Sequence, residues 1–308
     1  MAKRILCSPR QIVGLKFRKT SFDILNDLLV NFNKANKYEL NNLGKGSGSF
    51  KQKKPIEYIF LITQELGLDP LVGYHAVELL QRFMAKHLLD LLAVPPEGAT
   101  AVEPTSYEDV IFDQLKDKFS LIIFACVQLA NKQFLYSHMI DINAAVRFLH
   151  SIGVSASKQT VLEFELMVFK GLEFNLTVLN PLTYVEILLE VLGHNEPSVP
   201  IEHLYQLCRH VLQFITLQRT AIYDSLLRIT TQCANPSREQ REKFVTVTED
   251  CMLLGVGVIA VATFIFHFKK WKQVVGELSH ITAISRRSIT DFARVALMHI
   301  VGTSSSEV

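Results

Sequence analysis

The sequence predicts an all-α protein in which two consecutive helical bundles follow a short N-terminal arm. Apolar residues recur at intervals of three and four over most of the 308 residues, which is the period of an amphipathic helix. No stretch alternates apolar and polar residues between turn signals, as a half-buried strand would. A chain of this length has room for about two domains, and Asn180-Pro181 interrupts the pattern near its middle. The expected divisions are a basic arm at residues 1–53, a first bundle at 54–180, a second bundle at 181–301 and a disordered tail at 302–308.

The predicted arm is basic first and helical afterwards. Lysine and arginine occupy six of the first twenty positions, with no acid among them. Between Ser21 and Asn36 the apolar residues fall on one face, and Thr20 or Ser21 can cap the helix. Residues 44–49, Gly-Lys-Gly-Ser-Gly-Ser, have the composition of a flexible linker.

The first bundle is predicted from five helical patterns. Pro55 suits the first turn of a helix, and Gly67 suits the end of that helix. The prolines and the glycine in residues 95–104 indicate a loop or an insertion. The helical patterns lie at residues 55–67, 71–92, 106–131, 140–150 and 157–172.

The second bundle contains one unusually apolar segment. Residues 252–266 carry no charge, but a membrane span needs about 20 such residues. We therefore expect a buried central helix, in which Gly255 and Gly257 let neighbouring helices approach closely. The helical patterns lie at residues 182–192, 201–217, 220–232, 240–268, 271–281 and 286–300.

Composition and charge disfavour several classes of protein. A net charge of +2 produces no general attraction to nucleic acid or to a membrane. Five cysteines without C-x-x-C spacing argue against a disulfide framework and a zinc site, and they favour a reducing compartment. A second basic cluster, at Lys45, Lys51, Lys53 and Lys54, lacks interleaved aromatic residues. Direct nucleic-acid binding through the basic clusters is therefore the least favoured function.

No motif predicts catalysis. Residues 44–49 lack the G-x-x-x-x-G-K-[ST] spacing of a phosphate loop, and no strand precedes them. No H-E-x-x-H pair occurs, and His203 and His210 are two helical turns apart, about 10 Å, which is too far for both to bind one metal ion simply. We expect no catalytic, cofactor-binding or metal-binding residue and no cofactor.

Two charged residues are notable because they lie on apolar rows of predicted helices. Lys132 ends a row that begins at Leu121 with helical spacing, and Glu165 lies between Val161 and Val168 on another row. A charge on a core-facing row is costly unless it is paired, hydrogen-bonded or reserved for a partner. The alternative, in which the rows are shallow and both charged groups snorkel to water, stays open.

Four segments in order resemble signatures of the cyclin box. Residues 77–84, 124–132 and 161–176 resemble its second, third and fifth helices, and residues 180–184 resemble the junction that opens the second cyclin repeat. The resemblance implies two cyclin-like five-helix bundles, the second divergent. It also implies a regulatory protein without catalytic activity.

Three further segments, at residues 74–84, 188–193 and 250–259, resemble a cyclin-like branch associated with the maturation of meiotic crossovers. That resemblance implies a nuclear protein of meiotic chromosomes, with some presence in the cytoplasm. It implies recombination factors, and clamp-loader or ubiquitin-pathway proteins, as partners. A cyclin-dependent kinase is a further implied partner, and no membrane is implied.

The resemblance also assigns a partner-binding site. In kinase-activating cyclins the lysine and glutamate at the positions of Lys132 and Glu165 anchor the regulatory helix of the kinase, and Phe174 lies on the adjoining apolar surface. Gln133 and Phe134 stand where such cyclins often have two acids, and the M-R-A-I-L substrate-docking patch is absent. Three hypotheses remain open: a kinase-binding cyclin, a cyclin-fold scaffold that binds no kinase, and a nucleic-acid binder that uses residues 1–54.

Overall fold

The computed structural model describes residue 17 and residues 20–44, 46–93, 104–134 and 140–304. Within these ranges the chain consists of helices and connecting segments without a strand, which confirms the all-α class. Most of the first nineteen residues of the predicted arm, residues 95–103 of the predicted loop and residues 305–308 lie outside the described ranges. The helices are α1 (Phe22–Asn41), α2 (Lys53–Glu65), α3 (Pro70–Ala93), α4 (Pro104–Gln133), α5 (Ile142–Ser151), α6 (Lys158–Gly171), α7 (Pro181–Asn195), α8 (Ile201–Leu217), α9 (Arg219–Thr231), α10 (Arg238–Thr248), α11 (Cys251–His267), α12 (Trp271–Thr282) and α13 (Arg286–Ser304), with a 3₁₀ turn at Phe268–Lys270.

Polar caps fix several helix starts near their predicted positions. The hydroxyl of Ser157 accepts a hydrogen bond from the Thr160 amide and starts α6. The side chain of Asn180 accepts one from the Leu182 amide and starts α7. Gly67 follows α2 with φ +61°, the left-handed conformation that often ends a helix. The local chemistry read from the sequence therefore sets the element bounds.

The single helix predicted at residues 240–268 is wrong, because the chain forms two helices there. Asp250 separates them, and its carboxylate accepts hydrogen bonds from the amides of Met252 and Leu253 at the start of α11. An aspartate that satisfies two amides in this way stabilises a helix start by about 1 kcal/mol. The apolar periodicity continues on both sides of Asp250, so a prediction from periodicity alone does not detect the break between the two helices.

The first bundle is centred on α4. This helix packs against α2, α3 and α6, and α5 packs against α6. Apolar side chains from all five helices form one buried core that includes Ile59, Leu80, Ile122, Leu149 and Val168.

The second bundle is centred on α11. This helix packs against α7, α8, α12 and α13, which gives a five-helix arrangement. The pair α9 and α10 is inserted between α8 and α11, and α9 packs against α8 and α13.

Small residues bring the neighbours of α11 close to its backbone. A Cβ atom on Gly255 would lie 2.8 Å from Cδ1 of Leu188, and one on Gly257 would lie 2.2 Å from Cδ1 of Phe292. By length and composition Cys251–Thr282 could span a membrane, but 67% of its most apolar window is buried in the protein. A buried core helix meets the same criteria of length and composition. The burial of this segment agrees with the predicted central helix.

The N-terminal helix α1 packs against the second bundle, on α7 and α11. The buried amide of Asn36 donates to Asp250 over 2.9 Å and accepts from the Cys251 amide over 3.1 Å. The hydroxyl of Tyr184 donates to the Phe32 carbonyl. These bonds tie α1 to α7 and to the junction of α10 and α11.

The predicted linker is held by hydrogen bonds rather than free. Gln81 on α3 donates to the Gly46 carbonyl over 2.9 Å and accepts from the Phe50 amide over 2.8 Å. Gly48 has φ +78°, and a Cβ there would lie 2.6 Å from a carboxylate oxygen of Glu249. Glycine is needed here for a left-handed turn and a close approach.

Residues 302–304 of the predicted tail belong to a helix, because α13 continues to Ser304. The backbone of Gly302 has open space around the position of a Cβ atom.

Candidate partner-binding site

The ion pair of Lys132 and Glu165 lies where the end of α4 packs beside α6. Lys132 is in the last turn of α4, and its Nζ contacts Oε1 of Glu165. The lysine side chain is 44% exposed and the glutamate side chain 12%. The lysine thus reaches water, as the snorkelling alternative requires, whereas the glutamate lies largely within the seam between the helices.

Glu165 has a second carboxylate oxygen without a hydrogen bond. Its Oε2 is buried and has no partner among the residues that the structure describes. The side-chain oxygen of Gln128, one turn before Lys132 on α4, is buried without a partner in the same described part. An unsatisfied buried acceptor costs about 1–3 kcal/mol. The seam would therefore be stabilised by an additional N–H donor.

The outer face of α6 is apolar beside this pair. Leu162 and Leu166 are each 49% exposed. With Glu165 and Phe169 they follow the spacing i, i+3, i+4 and i+7, which places the four side chains on one face of the helix. The exposed leucines give the charged pair an apolar border.

Phe174 extends the same face beyond the end of α6. Its side chain is 62% exposed, and its ring meets the edge of Phe169 with 5.1 Å between centroids. Phe169 lies four residues after Glu165 on α6, so the two residues share a face of that helix. The ring contact therefore places Phe174 beside the α6 face that carries Glu165.

The turn that presents Phe174 has an unusual backbone. Glu173 and Phe174 both have positive φ, +55° and +59°, which is uncommon outside glycine. The Phe174 amide donates to the Phe169 carbonyl over 3.0 Å, in the manner of a left-handed helix end. This conformation needs support from the surrounding structure.

Three residues of α3 supply that support. The Nε2 of His75 donates to the Leu176 carbonyl over 2.9 Å, and burial lowers the pKa of this histidine. Arg82 donates to the Thr177 carbonyl over 2.9 Å and also to the Asn175 carbonyl. Lys86 forms an ion pair with Glu173. The turn after α6 is therefore fixed by α3.

The sequence reasoning did not identify the leucines of α6 or the α3 residues that fix the turn. The leucines could have been found from their four-residue spacing next to Glu165. His75, Arg82 and Lys86 share a helix face at spacings of seven and four, but their acceptors are mostly backbone carbonyls about 90 residues or more away. Carbonyl acceptors leave no sequence signal.

One lysine of the second basic cluster is unavailable for nucleic acid. The Nζ of Lys51 lies 2.7 Å from Glu78 and 2.7 Å from Glu249, and its side chain is 7% exposed. Burial alone would lower the pKa of Lys51, but the two carboxylates outweigh burial and raise it. Arg219 pairs with Glu249 over 2.6 Å. Lys51 therefore belongs to a buried ionic cluster that joins α3 to α9 and to the end of α10.

Glu186 on α7 is a buried carboxyl group that the sequence did not single out. Burial raises its pKa to about 7, although a hydrogen bond from the Tyr205 hydroxyl, 2.6 Å away, works in the opposite direction. Tyr205 lies on α8, so the pair stabilises the packing of two helices. It is a structural contact within the second bundle.

The chain has close similarity to known proteins over nearly its full length. It is 35% identical over 292 residues to cyclin N-terminal domain-containing protein 1 of Mus musculus, which covers 94% of this chain and 87% of that protein. It is 35% identical over 297 residues to the protein of the same name in Homo sapiens, with coverage of 96% and 89%. No protein-family model matches the chain.

Proposed function

This chain belongs to the family of cyclin N-terminal domain-containing protein 1, and from that premise we propose that it is a non-enzymatic regulator of meiotic recombination. In this proposal it promotes the maturation of crossovers by binding other proteins. The family makes it a cyclin-like protein. The meiotic role is supported by the resemblance of residues 74–84, 188–193 and 250–259 to the crossover-associated branch.

The observation that carries the binding role is the pair of Lys132 and Glu165 with its apolar border. A buried acceptor without a donor costs free energy in the free protein. Exposed leucines beside it can be covered by a partner, which is favourable by roughly 25 cal/mol for each Å² of apolar surface buried. The surface thus combines an apolar border with polar groups that fix orientation, as protein interfaces do.

In our proposal the pair opens when a partner binds. The flexible side chain of Lys132 leaves Glu165 and donates to a carbonyl group of the partner. Glu165 then accepts an N–H group from the partner with the oxygen that lacks a hydrogen bond in the free protein. The Lys132 side chain is 44% exposed and can turn toward the partner, and the N–H group of the partner then satisfies the largely buried carboxylate of Glu165.

The partners and the location follow the same family resemblance. We propose that the protein acts in the nucleus on meiotic chromosomes, and also occurs in the cytoplasm. Meiotic recombination factors are the proposed partners, together with clamp-loader or ubiquitin-pathway proteins.

The alternative function is a subunit that binds and activates a cyclin-dependent kinase. The contact of Lys132 with Glu165 favours it, because these are the positions that the cyclin resemblance assigns to kinase binding. Gln133 and Phe134, in place of two acids, count against it. Direct nucleic-acid binding is weakened by the burial of Lys51.

One experiment tests the meiotic role and separates it from the alternative. Meiotic cells that lack the endogenous protein receive either the wild-type chain or the variant Lys132→Ala/Glu165→Ala, and crossovers are counted. In parallel, both purified chains are tested for retention of a purified cyclin-dependent kinase. The variant Lys53→Ala/Glu57→Ala is the matched control, because it removes an exposed lysine–glutamate pair from α2.

The proposal predicts that the wild-type and control chains restore crossovers, and a wild-type chain that restores none would contradict it. If the Lys132→Ala/Glu165→Ala variant loses both kinase retention and crossovers, the kinase-binding alternative is supported. If the wild-type chain retains no kinase and still restores crossovers, the scaffold function is supported.

A further inference from the structure

The end of α11 exposes a run of apolar side chains, although the start of the same helix is buried. Cys251–Thr263 is buried throughout. Phe264, Ile265, Phe266 and Phe268 are all exposed, with exposed fractions from 36% to 65%. We call these four residues the aromatic corner. Consecutive exposed apolar residues are rare in soluble proteins unless they form an interaction surface.

Neighbouring rings hold the aromatic corner in one arrangement. Phe264 meets the edge of Phe268 at 5.0 Å and the edge of Trp271 at 5.7 Å between ring centroids. Phe266 stacks parallel to His203 of α8 at 6.3 Å. Because these rings are already held in place, they would lose little side-chain entropy when a partner binds them. The aromatic corner is thus preorganised for binding.

Lysines follow the aromatic corner directly. Lys269 and Lys272 are exposed, and Lys270 donates to the Ser198 carbonyl over 2.9 Å. In the part of the chain that the structure describes, none of these three lysines lies within ion-pair distance of a carboxylate. The surface therefore offers apolar area beside uncompensated positive charge, which is complementary to acidic groups.

Two occupants supplied by this chain fit less well. Residues 1–16 carry basic side chains and no acid, so the lysines repel them. A second copy that docked face to face would place the lysines of both corners together, and juxtaposed like charges are unfavourable.

A bilayer also fits less well than a protein. An interfacial anchor buries its apolar face roughly 5–10 Å into the headgroup region. Only Phe268 of the aromatic corner is more than half exposed, whereas Phe264, Ile265 and Phe266 are each more than half buried. Such a surface suits contact with another protein chain.

We propose that the aromatic corner with Lys269 and Lys272 binds an acidic segment of a partner protein, which places an apolar side chain on the rings and carboxylates on the lysines. This surface lies on the second bundle and is distinct from the face of α6. It would let the protein hold a second partner while the first bundle binds another.

A peptide library tests this proposal directly. A phage-displayed library of random 16-residue peptides is selected on the immobilised full chain, and the enriched peptides are synthesised and titrated in solution. We expect enriched peptides that combine acids with an aromatic or aliphatic residue. Their affinity should fall at least about tenfold for Lys269→Glu/Lys272→Glu and for Phe268→Ala. Affinity should be unchanged for Lys34→Glu/Lys37→Glu, which alters two exposed lysines at the same spacing on α1.

Two further measurements test the role of charge without the risk that charge reversal unfolds the protein. Lys269→Gln/Lys272→Gln and a titration of sodium chloride on the wild-type chain repeat the charge test without charge reversal, and both should weaken binding. The proposal is overturned if no peptide is enriched, if the enriched peptides lack acids, or if the α1 control loses as much affinity. It is also overturned if the chain binds vesicles of phosphatidylserine and phosphatidylcholine but no peptide. The same holds if Phe268→Ala abolishes self-association of the chain and leaves peptide binding unchanged.

Discussion

Glu186 shows how one buried carboxyl group can make stability depend on pH. Its pKa rises from an ordinary 4.5 to about 7 because burial disfavours the charged form. Asp69 also raises this pKa, while the Tyr205 hydroxyl and Arg209 lower it. A raised pKa means that the stability contributed by the neutral carboxyl group is fully present below pH 4.5 and is lost as the pH rises through 7.

The variant Glu186→Gln should remove that dependence. Glutamine keeps an oxygen acceptor for Tyr205 but does not ionise, so the variant should gain stability over the wild type as the pH rises from 4.5 to 8. The gain should be on the order of 1–3 kcal/mol. Urea unfolding at several pH values measures it, with the exposed Glu202→Gln on α8 as the control. Parallel pH profiles for wild type and Glu186→Gln would show that the carboxyl group is not the cause.

At the same scale, periodicity in the sequence pointed to some of the charged residues described above and not to others, for a physical reason. Lys132 and Glu165 each interrupt an apolar row of their own helix, so local periodicity was enough to identify them. The burial of Lys51 depends on Glu249, which is 198 residues away. Glu186 is likewise defined by its neighbour on another helix. Contacts between distant residues give no periodic signal.

At the scale of the helix, α11 depends on glycine where neighbours touch its backbone. The side chain of Phe292 is completely buried and occupies the space that a Cβ atom on Gly257 would need. Gly257→Ala should therefore destabilise the protein by about 1–3 kcal/mol through overpacking. Gly302→Ala on α13 has no such neighbour and should be neutral or stabilising by up to about 1 kcal/mol.

Thermal and urea unfolding of the two glycine variants measure this difference. Equal stability of Gly257→Ala and Gly302→Ala would contradict the close packing of α11 and α13. A destabilised Gly257→Ala that keeps the wild-type helical circular dichroism would show that packing, rather than helix formation, is affected.

Most helix bounds were predictable within a few residues, because caps and apolar period agree along most of the chain. α8 spans Ile201–Leu217, the predicted bounds. The break at Asp250 was missed because the apolar period on its two sides hides a cap. The ordered turns at residues 46–50 were missed because their anchor, Gln81, is about 30 residues away.

At the scale of the whole molecule, the buried cluster around Lys51 joins the two bundles. Glu78 belongs to α3 of the first bundle, and Glu249 ends α10 of the second. Burial disfavours ionisation of Glu249, but the charges of Lys51 and Arg219 outweigh it and lower the pKa of Glu249 to about 2. A lowered pKa contributes stability that is present above pH 4.5 and is lost as the pH falls through 2.

Lys51→Met should leave the carboxyl group of Glu78 without an ion-pair partner and Glu249 with Arg219 alone. This should destabilise the protein by about 3–5 kcal/mol. Lys53→Met changes a neighbouring lysine whose side chain is 56% exposed, and it should cost no more than about 1 kcal/mol. Urea unfolding at pH 7 compares them. Equal costs for the two variants would show that the cluster does not hold the bundles together.

We propose that Lys132 and Glu165 form a docking site for a partner protein and not an internal brace. The most direct measurement is quantitative affinity purification with mass spectrometry from meiotic tissue, comparing the wild-type chain with Lys132→Glu/Glu165→Lys. Exchanging the two residues still permits an internal ion pair, but it reverses the charge that a partner contacts at each position. We predict an unchanged melting temperature and the loss of specific co-purifying proteins. An unchanged set of co-purifying proteins would show that the pair is not a docking site.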